Sequence, residues 1–298
     1  MPRIKGTILL FVFPWLIFSQ LKTPFVTYDH QSDSDYKKEL KLLNNHPDPE
    51  SEDIIKTIAE WAYDYKDWDT AIDNYERLLV DSPSANNYFR LALAAARKSL
   101  EVSRFLSVPY VIKARNSVLK AHELKPREVV FLNLLIQLYA EIPQLLGGSI
   151  AFAKKKADEL RDIDPLRGGM MQAYIFEVEN NFEASKSKTI EVFLNLKENF
   201  SDPDQWGNEL GRNLIFELGR AAAEYEIEPD LGIILLKHYQ EDFGFNDNYP
   251  LEWAYYYQSK IYLYKGLNVE AEACLHKALK IRPDFEEGLE LLKTVKLE

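Results

Sequence analysis

Residues 252–285 decide the fold of this chain, and they read EWAYYYQSKIYLYKGLNVEAEACLHKALKIRPDF. Aromatic, aliphatic and small residues recur in this stretch every three or four positions, the interval that places side chains on one face of an α-helix. The recurring residues are Tyr255, Ser259 and Tyr262 in the first half and Ala271, Leu275 and Ala278 in the second. Gly266 suits the left-handed conformation that ends a helix, and Pro283 prevents the second half from continuing. The stretch therefore predicts two helices packed together as a hairpin.

This spacing resembles the tetratricopeptide repeat (TPR), in which such a helical hairpin is the repeating unit. The similarity covers residues 52–298, and the same intervals recur at 52–85, 95–126 and 134–165. Gln258 is the one departure in the best unit, because TPRs usually carry a bulky apolar residue at that position. The resemblance implies an all-α fold, a TPR-like right-handed α-solenoid of stacked helical hairpins with a concave inner surface.

The architecture that we expect is an open curved stack of five or six hairpins, because each hairpin buries its apolar face only against its neighbours. A last helix after Pro283 should close the stack, with Leu289, Leu292 and Val295 facing inward. Within the stack, a long helix is predicted at residues 87–106. For the helix after it, Ser107 is the predicted cap and Pro109 is predicted to lie in the first turn. A further hairpin is predicted at 129–142 and 150–162.

The glycine-rich turn Gly147-Gly148-Ser149 has two interpretations. Glycine-rich turns that enter a helix can present backbone N–H groups to a phosphate. No Gly-Lys-Ser/Thr ending follows, and Gly148 stands at the turn position of a TPR. A plain turn is therefore favoured over a phosphate loop.

The N-terminus predicts export. Arg3 and Lys5 precede an apolar run at residues 7–18, as in a secretory signal peptide, and cleavage is expected after Ser19. The alternative is an uncleaved membrane anchor, although the run is shorter than the roughly 20 residues of a spanning helix. We therefore expect a signal peptide at 1–19, a polar linker at 20–50 with one short helix and no core, and the TPR-like helical repeat domain with its C-terminal capping helix at 51–298.

The formal charge of −11 disfavours nucleic acid as a partner, because such a surface repels phosphate backbones. Cys274 is the only cysteine, so an internal disulfide is excluded, and its place in the best hairpin predicts a buried, unreactive thiol. The five histidines have no paired spacing and no Gly-x-Ser-x-Gly occurs, so neither a zinc site nor a serine nucleophile is predicted. The sequence thus favours a non-catalytic protein without cofactor or metal.

For the binding surface, the TPR resemblance implies that the first helix of the best hairpin turns Trp253, Tyr256, Lys260 and Tyr264 toward the concave face. Rigid aromatic rings around a cation suit a peptide. The alternative is that these rings pack against the neighbouring repeat. The Lys and Asn clamp with which some TPRs hold a peptide C-terminal carboxylate is not recognisable, because Lys56 and Glu60 occupy its positions in the first repeat. That ligand is not predicted.

Two functions remain open. The first is an exported bacterial TPR scaffold, periplasmic or extracellular, that binds a protein or peptide and meets the membrane only if its signal segment is retained. The second is a small-molecule-binding accessory protein or enzyme with a pocket inside the superhelix. A deep apolar cavity with converging polar groups would favour the second.

Overall fold

The computed structural model describes residues 24–200, 206 and 210–295, and every regular element in them is helical. The predicted signal peptide at 1–19 lies outside these residues. The α-helices are α1 (Ser34–Asn44), α2 (Glu52–Asp64), α3 (Trp68–Asp81), α4 (Ala85–Glu101), α5 (Arg104–Leu124), α6 (Val129–Glu141), α7 (Ile150–Arg161), α8 (Pro165–Val178), α9 (Phe182–Asn199), α10 (Arg212–Tyr225), α11 (Pro229–Glu241), α12 (Leu251–Tyr264), α13 (Asn268–Ile281) and α14 (Glu286–Val295). A short 3₁₀ turn, Gln144–Leu146, joins α6 to α7.

Helices α12 and α13 form the hairpin that the sequence predicts. Ser259, Ala271, Leu275 and Ala278 are completely buried between them. Gly266 takes a φ of +73°, and its N–H bonds to the Leu263 carbonyl, so the first helix ends where predicted. Small side chains at the contact let the two axes approach closely, while leucine and the aromatic rings fill the remaining volume.

The polar residue that departs from the TPR pattern is accommodated in the same core. Gln258 is only 3% exposed, and its Oε1 accepts a hydrogen bond from Gln240 Nε2 at 3.1 Å. Cys274 Sγ also donates to Gln258 Oε1, at 3.3 Å. Burial raises the pKa of the Cys274 thiol to about 11, so it stays protonated and unreactive at neutral pH. The prediction of a buried thiol is confirmed.

The hairpins stack in chain order, as α2/α3, α4/α5, α6/α7, α8/α9, α10/α11 and α12/α13, with α14 against α13. Fully buried residues fill the contacts between consecutive helices, for example Ala95 and Ala114 between α4 and α5, and Leu132 and Ala157 between α6 and α7. Each hairpin has an apolar face toward each of its neighbours, and stacking removes these faces from water. The first helices of the hairpins form the inner wall of the superhelix.

The α4–α5 turn differs from its prediction. Helix α4 ends at Glu101, and α5 begins at Arg104 with Ser103 before it, so the proposed cap at Ser107 is wrong. Ser107 is buried within the first turn of α5, where its Oγ donates to the Arg104 carbonyl at 2.7 Å. Pro109 therefore lies inside the helix, where it removes a single backbone donor near the N-terminal end.

The closing helix α14 is present, and of its three predicted inward residues Val295 is buried and Leu292 is half-buried. Leu289 is wrong, since it is 38% exposed while Phe285 and Gly288 are buried. The ring of Phe285 fills the space beside Gly288, where an added Cβ would come within 2.8 Å of the ring carbon Cδ1. The buried stripe therefore starts at Phe285, and Leu289 is turned toward water.

The polar segment before the repeats contributes to the core, contrary to the expectation for 20–50. Tyr36, in α1, is 2% exposed, stacks on Tyr65 with ring centroids 4.8 Å apart, and donates to Asp67 Oδ2 at 2.8 Å. Phe25 stacks on Tyr249 with centroids 5.5 Å apart. Two aromatic rings thus dock this segment onto the superhelix, although its composition is polar.

The superhelix also closes on itself, where an open stack was expected. Lys66, in the α2–α3 turn, donates from Nζ to the Phe245 carbonyl at 3.1 Å, and Arg97 Nη2, in α4, donates to Asn248 Oδ1 at 2.8 Å. Phe245 and Asn248 belong to the loop 242–250 between α11 and α12. We call these two hydrogen bonds, Lys66 to Phe245 and Arg97 to Asn248, the closure contact. It joins the first two hairpins of the stack to the loop between the fifth and sixth hairpins.

Candidate functional site: a cavity inside the superhelix

Closure of the superhelix leaves a cavity of about 770 Å³ between the inner helices and loop 242–250. This volume lies within the range of roughly 300–1,000 Å³ that is usual for small-molecule sites. Apolar side chains such as Leu93, Leu134 and Met170 line much of it. The lining also holds half-buried ionisable groups: Arg97, Glu141, Tyr174, Glu177, Glu217 and Arg220.

A network of charged groups crosses the floor of the cavity from α8 to α10. Arg220 Nε donates to Glu217 Oε2 at 2.8 Å, and Arg220 Nη2 lies 3.3 Å from Glu177 Oε2. Tyr225 OH donates to Glu177 Oε1 at 2.7 Å and lies 2.7 Å from Ser185 Oγ. Burial lowers the pKa of Arg220, but the two carboxylates outweigh burial and raise it above its usual value. Arg220 therefore stays positively charged, and Glu217 and Glu177 balance its charge.

Glu141 is a further, half-buried acid of the cavity wall. It ends α6, and the one hydrogen bond to its side chain in the described part of the chain comes from Tyr174 OH in α8. Burial raises the pKa of Glu141 to about 7, and the Tyr174 bond opposes that shift. No Lys or Arg of the described residues forms an ion pair with it, so its charge depends on pH near neutrality.

Arg97 is a buried cation without a carboxylate partner among the described residues. Nη2 bonds to the Asn248 amide oxygen, Nη1 is buried with no hydrogen-bond partner, and the guanidinium carbon lies 3.3 Å from the centroid of the Phe25 ring. Burial lowers the pKa of Arg97 from its usual value. Stacking on an aromatic face compensates part of the lost hydration, but a buried guanidinium normally also pairs with an anion.

At the rim, a paired charge holds the loop in place. Arg212, in α10, donates from Nε to Asp247 Oδ1 at 2.8 Å and from Nη2 to Asp247 Oδ2 at 2.7 Å. Asp247 Oδ2 also accepts from the Gly244 N–H at 2.8 Å, which fixes the turn of the loop. Such a bidentate pair is among the stronger polar contacts of proteins. These hydrogen bonds therefore fix loop 242–250 as one wall of the cavity.

The residues predicted from the best hairpin lie elsewhere, since none of them lines this cavity. Trp253 is 3% exposed and packs against Phe285 with ring centroids 5.1 Å apart, as the packing alternative has it. Tyr256 also contacts Phe285, at 5.5 Å, and burial raises its pKa to about 12. Lys260 Nζ lies 3.0 Å from Glu224 Oε1, and Tyr264 is 50% exposed. Binding of a partner by these four residues stays a prediction.

The sequence does contain a signal for the cavity residues that were missed. Glu141 is the only charged residue in α6, Arg220 stands beside Gly219 and three alanines, and Arg97 follows Ala94, Ala95 and Ala96. A charged side chain in a run of small or apolar residues on an inner helix faces either a partner or a cavity. The pattern identifies the residues, but it does not show that they converge.

The glycine turn before α7 is a plain turn, as favoured. The N–H groups of Gly147, Gly148 and Ser149 bond to the carbonyls of Gln144, Pro143 and Tyr139. Ser149 Oγ caps the helix by accepting from the Phe152 N–H at 3.2 Å. All three backbone donors of the motif are used inside the turn, so none is available to bind a phosphate.

Two general properties bear on the kind of site. Within the described ranges, no three His, Cys, Asp or Glu side chains converge as a metal site would require. In the same part of the chain, no helix combines the length and the apolar character needed to cross a bilayer.

Comparisons with known proteins agree on the fold. No family model and no curated protein matches the sequence. Among solved structures, the chain is similar to a chain of the APC/C hetero-tetramer Cut9–Hcn1, with a TM-score of 0.55 and 16% identity over 87% of this chain and 46% of that one. A second similar structure is a tetratricopeptide repeat protein from Parabacteroides merdae, with a TM-score of 0.49 and 14% identity over 88% and 90% of the two chains.

At these identities, similarity of structure shows a common fold. It gives no information about partners. The present chain spans less than half of the Cut9–Hcn1 chain that it matches. The stacked hairpins, the buried small residues at their contacts and the similarity to solved TPR structures all agree. The resemblance to the tetratricopeptide repeat family is therefore confirmed at the level of the fold, and this protein is a TPR-like α-solenoid.

Proposed function

We propose that this protein is an exported, non-catalytic binding protein of the bacterial cell envelope that holds a short peptide or a small molecule in the cavity of its superhelix. The TPR-like fold itself indicates a protein- or peptide-binding scaffold. The observation that favours the interior as the site is the 770 Å³ cavity with its converging, buried polar groups. A peptide segment that enters it can bury apolar side chains against the inner helices and satisfy the polar wall.

A cavity-blocking variant tests where the ligand binds. Gln137, in α6, is half-buried and lines the cavity, so Gln137→Trp fills part of the volume. Gln144→Trp places the same ring on the exposed 3₁₀ turn and serves as the matched control. A synthetic tetrapeptide library is incubated with each protein, and the retained peptides are quantified by mass spectrometry. We expect retention by the wild type and by Gln144→Trp, and at least a tenfold loss with Gln137→Trp.

Equal retention by Gln137→Trp and the wild type would contradict the cavity as the binding site. Circular dichroism and thermal melting first establish that each variant folds. If Gln137→Trp does not fold, Ser99→Trp fills the cavity from α4 instead, because Ser99 is half-buried and also lines the wall.

The export proposal depends on the N-terminal residues and has a separate test. Cleavage after Ser19 makes Gln20 the first residue of the mature protein. Terminal sequencing of the protein purified from the envelope fraction of its host should therefore start at Gln20. A chain that keeps residues 1–19 and fractionates with membranes would support the anchor alternative, and an intact chain in the cytoplasm would refute export.

A second candidate site is the face of α12 that the sequence predicts to be concave, where Lys260 and Tyr264 retain exposed surface. A large aromatic side chain that is 50% exposed offers contact area to a partner at low entropy cost. Tyr264→Ala and Lys260→Ala should weaken capture of a defined partner once one is known, while Trp253→Ala mainly unfolds the C-terminal core. Partner binding that survives both exposed-residue variants would exclude this surface.

A further inference from the structure

Two charged groups inside the cavity wall, Arg97 and Glu141, lack a partner of opposite sign among the described residues, and a third lining acid, Asp242, is exposed to solvent at the rim. The other lining cations are paired: Arg220 with Glu217 and Glu177, Arg212 with Asp247, and Arg167 with Asp164. Arg97 has only an amide oxygen, an aromatic face and a free Nη1, whereas Glu141 has only a tyrosine hydroxyl. Buried charges without a partner are rare because their desolvation costs several kcal/mol.

The two unpaired groups lie on different inner helices of the same cavity. Arg97 lies in α4, four residues before the end of that helix at Glu101, and Glu141 ends α6, the inner helix of the next hairpin. No hydrogen bond or ion pair of the described residues joins Arg97 to Glu141. A ligand that satisfies both groups therefore carries a negative group at one end and a positive group at the other.

We propose that the cavity binds a short peptide with both ends free, its carboxylate paired with Arg97 and its ammonium with Glu141. This inference rests on the proposed function, which makes the cavity the binding site. The guanidinium edge can donate N–H bonds to a carboxylate in its plane while its face stays on the Phe25 ring. Tyr174 holds the Glu141 carboxyl from the side of α8 and leaves the carboxylate able to accept N–H donors.

Access to Arg97 requires a small rearrangement. Nη1 is shielded from water, and the ring that lies on the guanidinium belongs to Phe25, close to the N-terminus of the described chain. One backbone hydrogen bond, from Val26 N–H to the Asn248 carbonyl at 2.9 Å, holds that segment to loop 242–250. A rotation of the ring or of the guanidinium exposes Nη1. Phe25→Ala should therefore speed peptide association.

The decisive experiment compares free and blocked peptides by isothermal titration with the mature protein. Alanine peptides of two to five residues are titrated in three forms: free at both ends, N-acetylated, and C-amidated. We expect an optimum length, and a loss of at least tenfold when either end is blocked, because each blocked end loses its charge-assisted hydrogen bond to the cavity wall. The blocked peptides test the charges without any change in the protein.

Charge-removing variants then assign each end to its residue. Arg97→Gln should bind free and amidated peptides equally, and Glu141→Gln should bind free and acetylated peptides equally. The matched controls are Arg90→Gln in α4 and Glu128→Gln before α6, both exposed and outside the cavity wall, and they should retain the wild-type pattern. A variant that does not fold is replaced by Arg97→Lys or Glu141→Asp, which should keep the end-dependence of the wild type while weakening it.

The possible failures of the two proposals differ. If blocked and free alanine peptides bind equally, the charge pairing is wrong but the cavity remains the site. If no alanine peptide binds, but the wild type retains library peptides and Gln137→Trp does not, the charge pairing is again wrong and the cavity again remains the site. If neither set of peptides binds the wild type, the proposed peptide-binding function fails as well.

Discussion

The α12/α13 hairpin and the closure contact hold the molecule together by different means. In the hairpin, residues that are close in sequence, such as Ile261, Ala271 and Leu275, are buried and apolar. In the closure contact, Lys66 meets Phe245 and Arg97 meets Asn248, partners 179 and 151 residues apart, through single hydrogen bonds, and the Phe245 ring also packs on Tyr65 with centroids 5.3 Å apart. Hairpin packing is local and mainly apolar, whereas closure is long-range and depends on a few contacts.

This difference indicates how stability and function are distributed. Apolar burial of roughly 25 cal/mol per Å² stabilises each hairpin against its neighbours, so the stack itself resists opening. Single polar contacts contribute about 1 kcal/mol each, so the closure contact can open without unfolding the stack. The cavity behind it therefore combines helical walls held by apolar packing with one loop wall, 242–250, held by the Arg212–Asp247 pair and by the closure contact.

The largest effect should come from a methyl group added where two hairpins touch. An added Cβ at Gly168, in α8, would lie 2.2 Å from Arg161 Cα, a backbone atom that cannot move aside. We expect Gly168→Ala to lower the free energy of unfolding by about 3 kcal/mol. Gly244→Ala, in the closure loop, should change it by less than about 0.5 kcal/mol, because the nearest atom to its Cβ would be 4.0 Å away. Equal losses for both, measured by chemical denaturation, would contradict the contrast.

The buried acid of the cavity should give the next largest effect, and it depends on pH. The pKa of Glu141 is raised to about 7 from a model-compound value of 4.5, so the folded protein holds this proton more tightly than the unfolded chain does. Stability from this group is full below pH 4.5 and is lost as pH rises to about 7. Glu141→Gln removes this dependence and should exceed the wild type by up to about 3 kcal/mol at pH 8, because each unit of pKa corresponds to about 1.4 kcal/mol.

The measurement is the difference in unfolding free energy between the two proteins at pH 5 and at pH 8. Because Gln keeps a carbonyl that accepts the Tyr174 hydroxyl, the hydrogen bond survives in the variant. Glu128→Gln, exposed before α6, should show no such pH-dependent difference. A difference between Glu141→Gln and the wild type that is the same at both pH values would exclude a raised pKa at Glu141.

Opening the closure contact should have a smaller and more local effect. Asn248 accepts from Arg97 and donates from Nδ2 to Asn213 Oδ1 at 2.9 Å, so Asn248→Ala removes both bonds. We expect faster hydrogen exchange of the amides in loop 242–250, by roughly tenfold, with α13 unchanged. Asn246→Ala, exposed in the same loop, is the control. If α13 loses protection together with the loop, closure and hairpin packing form one cooperative unit and the contrast fails.

The smallest effect belongs to a surface ion pair. Arg77 Nη2, in α3, lies 2.6 Å from Glu50 Oε2, but the two side chains are 40% and 79% exposed. Solvent screening and side-chain entropy leave such pairs close to zero. Glu50→Gln should therefore change the free energy of unfolding by less than about 0.5 kcal/mol, and a loss near that of Gly168→Ala would show that polar surface contacts rival hairpin packing.

Most helices could be predicted because their signals are local. The hairpin at 252–285 follows from its small residues, Gly266 and Pro283, and the one at 129–162 agrees with the structure to within a residue at each end. The α4–α5 turn could not be placed, since Ser103 and Ser107 both suit a helix cap and only packing selects between them. Leu289 of α14 was misassigned because Phe285, just before the helix, supplies the buried ring that packs beside Gly288, a contact that helix periodicity does not predict.

The sequence by itself determined the class of fold and the hairpin repeat, since helix periodicity, small residues at contacts and turn residues act between neighbours. It also marked Arg97, Glu141 and Arg220 as charges in apolar surroundings. Only the tertiary structure decided that the superhelix closes and that these side chains share one cavity. Closure depends on the small rotation between successive hairpins added over the whole stack, and no short stretch of sequence encodes that sum.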